Sequence, residues 1–183
     1  MTALTDRASE ILKRISGVNS PVVAEIGVRE AKLSAYLLNA RRDLLLYAVD
    51  NWLSSSQRSR AYKETGDKCA MWSKSDADAA YQSALDALEP YENRVEVIRK
   101  SSGSAANEIP DQSLDLVFLD ADHSEKGITR DIEKWRPKVK PGGCFGGHDY
   151  ANPAFDFGVE KVVSEIFGSA VELGANFTWW VRL

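Results

Sequence analysis

The feature that most constrains this chain is an alternation. Short apolar runs, each stopping on a polar or ionisable residue, are separated by stretches whose apolar residues recur at helical spacing. Leu4, Ala8, Ile11, Leu12 and Ile15 mark a first helix, with Gly17 as its stop. Pro21 opens the apolar run Val22–Ile26, read as a first strand ending at Gly27. Ala31–Ala40, with Leu33, Leu37 and Leu38 on one face, reads as a helix, and Leu44–Val49 as a second strand ending at Asp50. After an irregular stretch, a helix is expected from about Ser75, with Ser75 as its cap and Asp78 three residues on. Its apolar face is Ala77, Tyr81, Ala84, Leu85 and Leu88. Arg94–Arg99 alternates as a third strand, Ser104–Glu108 reads as a short helix, and Leu114–Leu119 as a fourth strand. Glu125–Trp135 is helical, Lys140–Gly143 reads as a turn, Cys144–Gly147 as a fifth strand and Val159–Phe167 as a helix. Ala170–Leu173 and Phe177–Leu183 read as a final strand pair. Such alternation means βαβ units and a mostly parallel sheet covered on both faces.

Composition narrows the class without naming a function. The 183 residues suit one domain, 1–183, with an N-terminal helix over 1–17. A net charge of −4 lacks the basic footprint of a nucleic-acid binder. Cys69 and Cys144 read as reduced thiols in a cytoplasmic protein. Met1–Ile15 carries charges throughout and lacks the apolar centre of a signal peptide. The longest apolar run, Leu44–Val49, is far too short for a bilayer, so no membrane partner is expected.

In open parallel sheets, ligands bind beyond the carboxyl ends of the strands, near the point where strand order reverses. Those ends carry Glu25 and Gly27, then Asp50, Lys100 and Ser101, then Asp120, Asp122 and His123, and finally His148 and Asp149. A dinucleotide fingerprint would need glycines at 27, 29 and 32, and the chain has Gly27, Arg29 and Lys32. Side chains at 29 and 32 obstruct a pyrophosphate, whereas a nucleoside without phosphates tolerates them. Asp50 lies 23 residues beyond Gly27. That is the position from which a carboxylate binds ribose hydroxyls.

At this point a resemblance becomes specific. Val23-Ala24-Glu25-Ile26-Gly27-Val28, followed by Tyr47-Ala48-Val49-Asp50-Asn51-Trp52, resembles the start of class I S-adenosylmethionine-dependent methyltransferases. Leu116–His123 resembles their fourth strand, and Trp135–Gly143 the lead into their fifth. Gly146–Tyr150 and Phe157-Gly158-Val159 resemble a subgroup that includes small-molecule O-methyltransferases. The likeness runs from about Val22 to the C-terminus. It implies a Rossmann-like, doubly wound, seven-stranded sheet with helices on both faces and an antiparallel last strand. It further implies S-adenosyl-L-methionine as cofactor, with Glu25 and Gly27 on its methionine side and Asp50 at the ribose. Asn51 and Trp52 would lie beside the adenosine, with Lys100 and Ser101 flanking the adenine. Asp120 is counted with the cofactor contacts. The family's turn usually has more glycine than Arg29 and Ala31 leave here.

A hydroxyl acceptor must lose its proton to a base or with help from a metal. His123 is the candidate general base, with Asp122 as its alternative. The bland readings make Asp122 a cap of the helix at Glu125, and His123 a cap or a solvent-facing residue just before it. The metal-dependent members of the resembled subgroup imply a divalent ion held by Asp120 and Asp149. His148 replaces an acidic residue common in those relatives, and imidazole suits zinc, iron or nickel better than magnesium. Tyr62, Trp72 and Tyr150 could wall an acceptor pocket, while Trp179 and Trp180 read as core. Residues 51–74 form a long βα connection, read as a lid or an ordered insertion. The expected partner is a small-molecule acceptor, with a pocket completed by a second copy as a further option. Rival readings are a non-catalytic adenosine-ligand module, a methyltransferase acting on nucleic acid or protein, and a nicotinamide oxidoreductase.

Overall fold

A computed structural model describes residues 2–155 and 157–183. Its elements, in chain order, begin with α1 (Ala3–Arg14), β1 (Val22–Ile26), α2 (Lys32–Ala40), β2 (Leu45–Asp50) and α3 (Arg60–Glu64). Next come α4 (Lys74–Leu88), β3 (Val95–Arg99), α5 (Ser102–Ala106), β4 (Leu114–Leu119) and α6 (Glu125–Trp135). The chain closes with β5 (Val139–Gly147), α7 (Val159–Phe167), β6 (Glu172–Leu173) and β7 (Trp179–Arg182).

The seven strands lie in the order β3-β2-β1-β4-β5-β7-β6. β7 runs antiparallel to both of its neighbours, and the pairs among β1 to β5 are parallel. The chain therefore moves outward from β1 to β3 and returns to the other side of β1 with β4. That reversal opens a crevice between the carboxyl ends of β1 and β4.

Alternation along the strands builds two cores. Leu116 and Phe118 of β4 face one layer with Ile11, Leu37, Leu38 and Leu46. Val117 and Leu119 face the other with Ile132, Trp135, Phe145 and Val163. A strand sends successive side chains to opposite faces. Adjacent Trp180 and Trp179 accordingly enter different layers, both buried, as expected for core residues. Among the described residues, no helix is long and apolar enough to cross a membrane.

Several boundaries differ from expectation, each for a local reason. α4 begins earlier than Ser75 because Ser73 is its cap. The Ser73 hydroxyl accepts from the Asp76 amide at 3.1 Å, and the Ser73 amide donates to Asp76 at 2.9 Å. Asp78 instead pairs with Lys74 at 2.5 Å. α5 starts at Ser102, capped by Ser101. The expected turn at Lys140–Gly143 is a bulge within β5. Val139 pairs with Leu114 and Cys144 with Leu116, so the four turn residues oppose Asp115 alone. They stay attached because Leu183 donates to Gly143 and accepts from Gly142. β6 is shorter than expected because Gly168–Ala170 forms a 3-10 turn.

Candidate active site

A cavity of about 750 Å³ opens over the carboxyl ends of the strands. Glu25, Gly27, Asp50, Asn51, Lys100, Ser101, Asp120, Asp122, His123, His148 and Asp149 all line it. The structure thus gathers residues spread over 125 positions of sequence into one chamber.

The turn after β1 shows how the chain manages with little glycine. Gly27 has φ +97°, and Arg29 and Ala31 adopt φ +56° and +57° despite their side chains. Non-glycine residues enter this region at a cost. The surroundings hold them there. Asp50 accepts from the Arg29 amide at 2.9 Å, and Trp52 Nε1 donates to the Arg29 carbonyl at 2.7 Å. Asp50 also accepts from the Trp52 amide at 2.9 Å. Each carboxylate oxygen of Asp50 is thereby fixed by one amide and keeps a lone pair for a ligand. Asn51 accepts from the Leu53 amide at 3.1 Å. Trp52 is the exception among the expected cofactor contacts. It is 2% exposed, packs on Tyr81 at 4.8 Å and does not line the cavity. Its hydrogen bond to the turn draws the indole into the core.

Glu25 is 3% exposed at the end of β1 and accepts from the Ser34 hydroxyl at 2.5 Å. Burial pushes its carboxyl up to about 8, against the pull of Ser34. Lys100 pairs with Glu108 at the rim.

The second half of the site is an ionic cluster. His123 is 5% exposed and stacks on Phe157 with ring centroids 4.5 Å apart. Its Nε2 stands 3.3 Å from Asp120 and 3.2 Å from Asp149, and its Nδ1 stands 3.6 Å from Asp67. Neither nitrogen has a hydrogen-bond partner of acceptable geometry. His148 Nδ1 lies 3.2 Å from Asp149 and 3.5 Å from Asp120, and its Nε2 meets Asn176 at 3.1 Å. Arg7, reaching over from α1, donates to Asp120 at 2.6 Å, and Asn152 donates to Asp149 at 2.6 Å. Burial disfavours the charged imidazoles, yet the carboxylates prevail. Asp120 and Asp67 hold His123 up at about 10, and Asp120 and Asp149 hold His148 at about 9. Burial works against the Asp120 carboxylate, and the two imidazoles hold it well below the usual carboxylate range.

His123 is therefore neither a cap nor solvent-facing. The cap of α6 is Ser124, whose hydroxyl accepts from the Gly127 amide at 3.1 Å. Asp122 accepts from the Ser124 amide and hydroxyl, at 3.1 and 2.7 Å, so its oxygen orients the cap. Sequence reasoning did not anticipate Arg7, Asp67, Asn152 or Asn176. Arg7 lies in a helix whose apolar face is set by other residues and Asp67 in the irregular stretch after β2, and only the folded topology brings them to Asp120 and His123.

Residues 51–74 form an ordered wall. A 3-10 turn at Ser55–Gln57, α3 and a second 3-10 turn at Lys68–Met71 carry Arg58, Tyr62, Asp67 and Trp72 to the cavity. Tyr150, expected on that wall, lies elsewhere. Its hydroxyl meets Ser164 at 2.8 Å and it packs against the second core layer.

Asp120, His123 and Asp149 present ligand atoms within 4.8 Å of one another, and His148 adds a fourth donor beside them. An ion bonded at about 2.1 Å separates tetrahedral ligand atoms by roughly 3.4 Å. The observed spacings of 3.2 to 3.5 Å are compatible with that value. The donor set fits a divalent ion, and the unpartnered nitrogens of His123 are the observation that favours one.

The parallel sheet, the β1/β4 crevice and the acidic residues at the ends of β1 and β2 define a doubly wound α/β domain with its cavity at the point where strand order reverses. A family model described as a methyltransferase domain matches residues 24–150, and the chain belongs to that family. Its fold is shared with S-adenosylmethionine-dependent methyltransferases. One such enzyme from Aquifex aeolicus aligns over 98% of this chain and 89% of its own, at 13% identity and TM-score 0.59. The O-methyltransferase NovP aligns over 98% and 79%, at 13% identity and TM-score 0.65. An uncharacterised Sinorhizobium fredii protein, y4gI, is 27% identical over 99 residues, which are 54% of this chain. The chain spans 11% of the length of that relative.

Proposed function

We propose that this chain transfers the methyl group of S-adenosyl-L-methionine to a hydroxyl of a small molecule. The observation that carries the reading is the single cavity that joins the Glu25–Gly27 and Asp50 strand ends to the His123–Asp149 cluster. Its volume of about 750 Å³ lies within the range of small-ligand sites. A small acceptor is thereby favoured over a nucleic acid or protein, and the O-methyltransferase neighbour NovP is in keeping with oxygen as the acceptor atom.

In this reading Asp50 accepts from the ribose hydroxyls, and Glu25 faces the cationic methionine end. Lys100 and Ser101 border the adenine. The wall of residues 51–74 keeps the acceptor against the cofactor, where alignment of the reacting atoms supplies much of the acceleration. Methyl transfer forms the carbon–oxygen bond as the carbon–sulfur bond breaks, and the acceptor proton leaves to the strand-end cluster.

Asp50→Ala should weaken S-adenosylhomocysteine binding by at least about tenfold, the equivalent of one lost charge-assisted hydrogen-bond pair. Calorimetric titration measures the affinity, and an unchanged melting temperature separates this effect from unfolding. Equal affinity would remove Asp50 from the ribose. Conversion of S-adenosylmethionine to S-adenosylhomocysteine in the presence of mixed acceptors distinguishes an enzyme from a binding module.

The unpartnered His123 nitrogens favour a metal-assisted version of the same reaction. Asp120, Asp149, His123 and His148 would hold the ion. When bound, a divalent cation supplies positive charge that lowers the pKa of a coordinated hydroxyl. With two imidazoles in the donor set, the residues suit zinc, iron or nickel better than magnesium. Calorimetry should then show zinc binding at least about tenfold tighter than magnesium, lost in Asp149→Ala, with chelator abolishing turnover. Full turnover in excess chelator would confine the cluster to acid–base and structural roles.

A further inference from the structure

Six lysine and arginine side chains line the cavity, and they divide into two kinds. Arg7 pairs with Asp120, Lys32 with Glu30, Lys100 with Glu108, and Arg130 with Asp131. Arg29 and Arg58 have no carboxylate partner among the described residues. Both stand over aromatic rings of the same wall. The Arg29 guanidinium carbon is 5.7 Å from the centroid of Trp72, and that of Arg58 is 5.0 Å from the centroid of Tyr62. Arg58 Nε is tied to the Leu53 carbonyl at 3.0 Å. The rest of its fork carries no hydrogen bond among the described residues, and the same is true of the whole Arg29 guanidinium. Burial and the Asp67 carboxylate push the Cys69 thiol up to about 12, against the opposing charges of Arg29 and Arg58.

We infer that Arg29 and Arg58 bind an anionic group, a carboxylate or a phosphate, on the acceptor. The inference rests on the methyl-transfer reading above and adds the class of substrate. A guanidinium presents parallel donors that match the oxygens of such a group, and stacking on an aromatic ring orients the fork before the ligand arrives. Asp120 and Asp149 carry their carboxylates at the strand-end cluster, where they repel an anion, and Asp67, beside Tyr62 and Cys69, already accepts from the Tyr62 hydroxyl at 2.7 Å. Charge therefore sets the direction of entry, with the acidic group at the arginines and the hydroxyl at the cluster. Beside the cluster, Phe157 stacks on His123, and Phe155 stacks on Phe157 with ring centroids 4.7 Å apart. That apolar surface suits a flat, aromatic body. The acceptor so described is an aromatic acid or aryl phosphate with a free hydroxyl.

The test titrates the protein with benzoate, phenyl phosphate and neutral benzyl alcohol, with and without S-adenosylhomocysteine. At least one anion should bind about tenfold more tightly than the alcohol. In the Arg29→Gln/Arg58→Gln double variant that preference should vanish, and in the double lysine variant it should return in part, because lysine keeps the charge and loses the fork. If no anion outbinds benzyl alcohol, or if the preference survives the double glutamine variant, the inference is overturned. The arginines could instead serve the cofactor's own carboxylate. In that case the double glutamine variant would lose S-adenosylhomocysteine affinity but keep that of methylthioadenosine, which lacks the carboxylate, and this outcome also overturns the inference. Anion binding in protein that ignores S-adenosylhomocysteine would uphold the anion subsite while removing the methyl-transfer reading. Cofactor binding without anion selectivity would do the reverse.

Discussion

Gly27→Ala should cost the protein on the order of 4 kcal/mol of stability, combining strain at positive φ with overpacking against backbone. A Cβ at position 27 would lie 2.0 Å from the Asp120 carbonyl oxygen, 2.4 Å from its carbon and 2.8 Å from Ala121 Cα. None of these can swing aside as a flexible side chain would. The obstructed backbone is also tightly held. Gly27 donates to the Val49 carbonyl at 2.8 Å, and the Asp120 amide donates to Ile26 at 2.7 Å. Relief requires β1 and β4 to part at the crevice that defines the site. Set against the roughly 5 to 15 kcal/mol that holds a typical domain together, this is a large fraction. Urea denaturation should show the midpoint falling with little change in slope. Where the variant still folds, its S-adenosylhomocysteine affinity should fall as well. A loss below about 1 kcal/mol would mean that the crevice yields far more readily than its hydrogen bonds suggest.

Glu25→Gln should act in the opposite direction, with a gain that grows as pH rises from 4.5 toward 8. The Glu25 carboxyl is raised from 4.5 to about 8, chiefly by burial. Below pH 4.5 the folded and unfolded chains are both protonated there, so the group exerts no pH-dependent effect. As pH rises, the unfolded chain gives up its proton while the folded one keeps it, and stability falls until the folded carboxyl ionises near pH 8. Glutamine removes that slope. The variant should gain on the order of 3 kcal/mol over the parent at pH 8 and nothing at pH 4. The difference between the two proteins is the quantity to measure, since His123 and His148 impose their own losses at higher pH. The same residue offers a test of the cofactor reading. A methionyl ammonium seated against Glu25 would favour its ionised form. S-adenosylhomocysteine titrated near pH 7 in buffers of different ionisation enthalpy should therefore release up to about one proton from the parent and none from Glu25→Gln. Binding without proton release would move the ammonium away from Glu25.

Much of this arrangement was legible in the sequence because it rests on local rules. Continuous apolar strands such as Leu114–Leu119 announce burial on both faces, and their polar ends locate the chamber. The spacing from Gly27 to Asp50 placed a carboxylate beside the turn, where it accepts from the Arg29 amide. What escaped depends on contacts between distant segments. Nothing local marks Arg7, 113 residues from Asp120, as its ion-pair partner. Trp52 stands two residues after Asp50, yet its left-handed backbone, with φ +44°, accompanies the turn of its ring into the core. Tyr150 follows the cluster directly and still points to Ser164. The glycine-poor turn after β1 also reads differently once folded. Arg29 and Ala31 take up backbone conformations that glycine would adopt without strain, so the turn's shape is retained while its composition is not.

The wall of residues 51–74 closes its own polar accounts. Ser54 and Gln57 bond to each other, Ser59 caps Tyr62, Asp67 caps Cys69, and the Ser55 amide reaches the Trp72 carbonyl. Gly27 and Asp120, in contrast, are welded through backbone to the central strands. The molecule is thus divided into a chassis and an exchangeable panel. Drift within the panel, apart from Trp52 and Asp67, which are tied to the turn after β1 and to His123, can reshape what is admitted to the chamber while leaving the sheet undisturbed. Rewriting that one connection would change what the chamber admits while the strand ends beneath it keep their places.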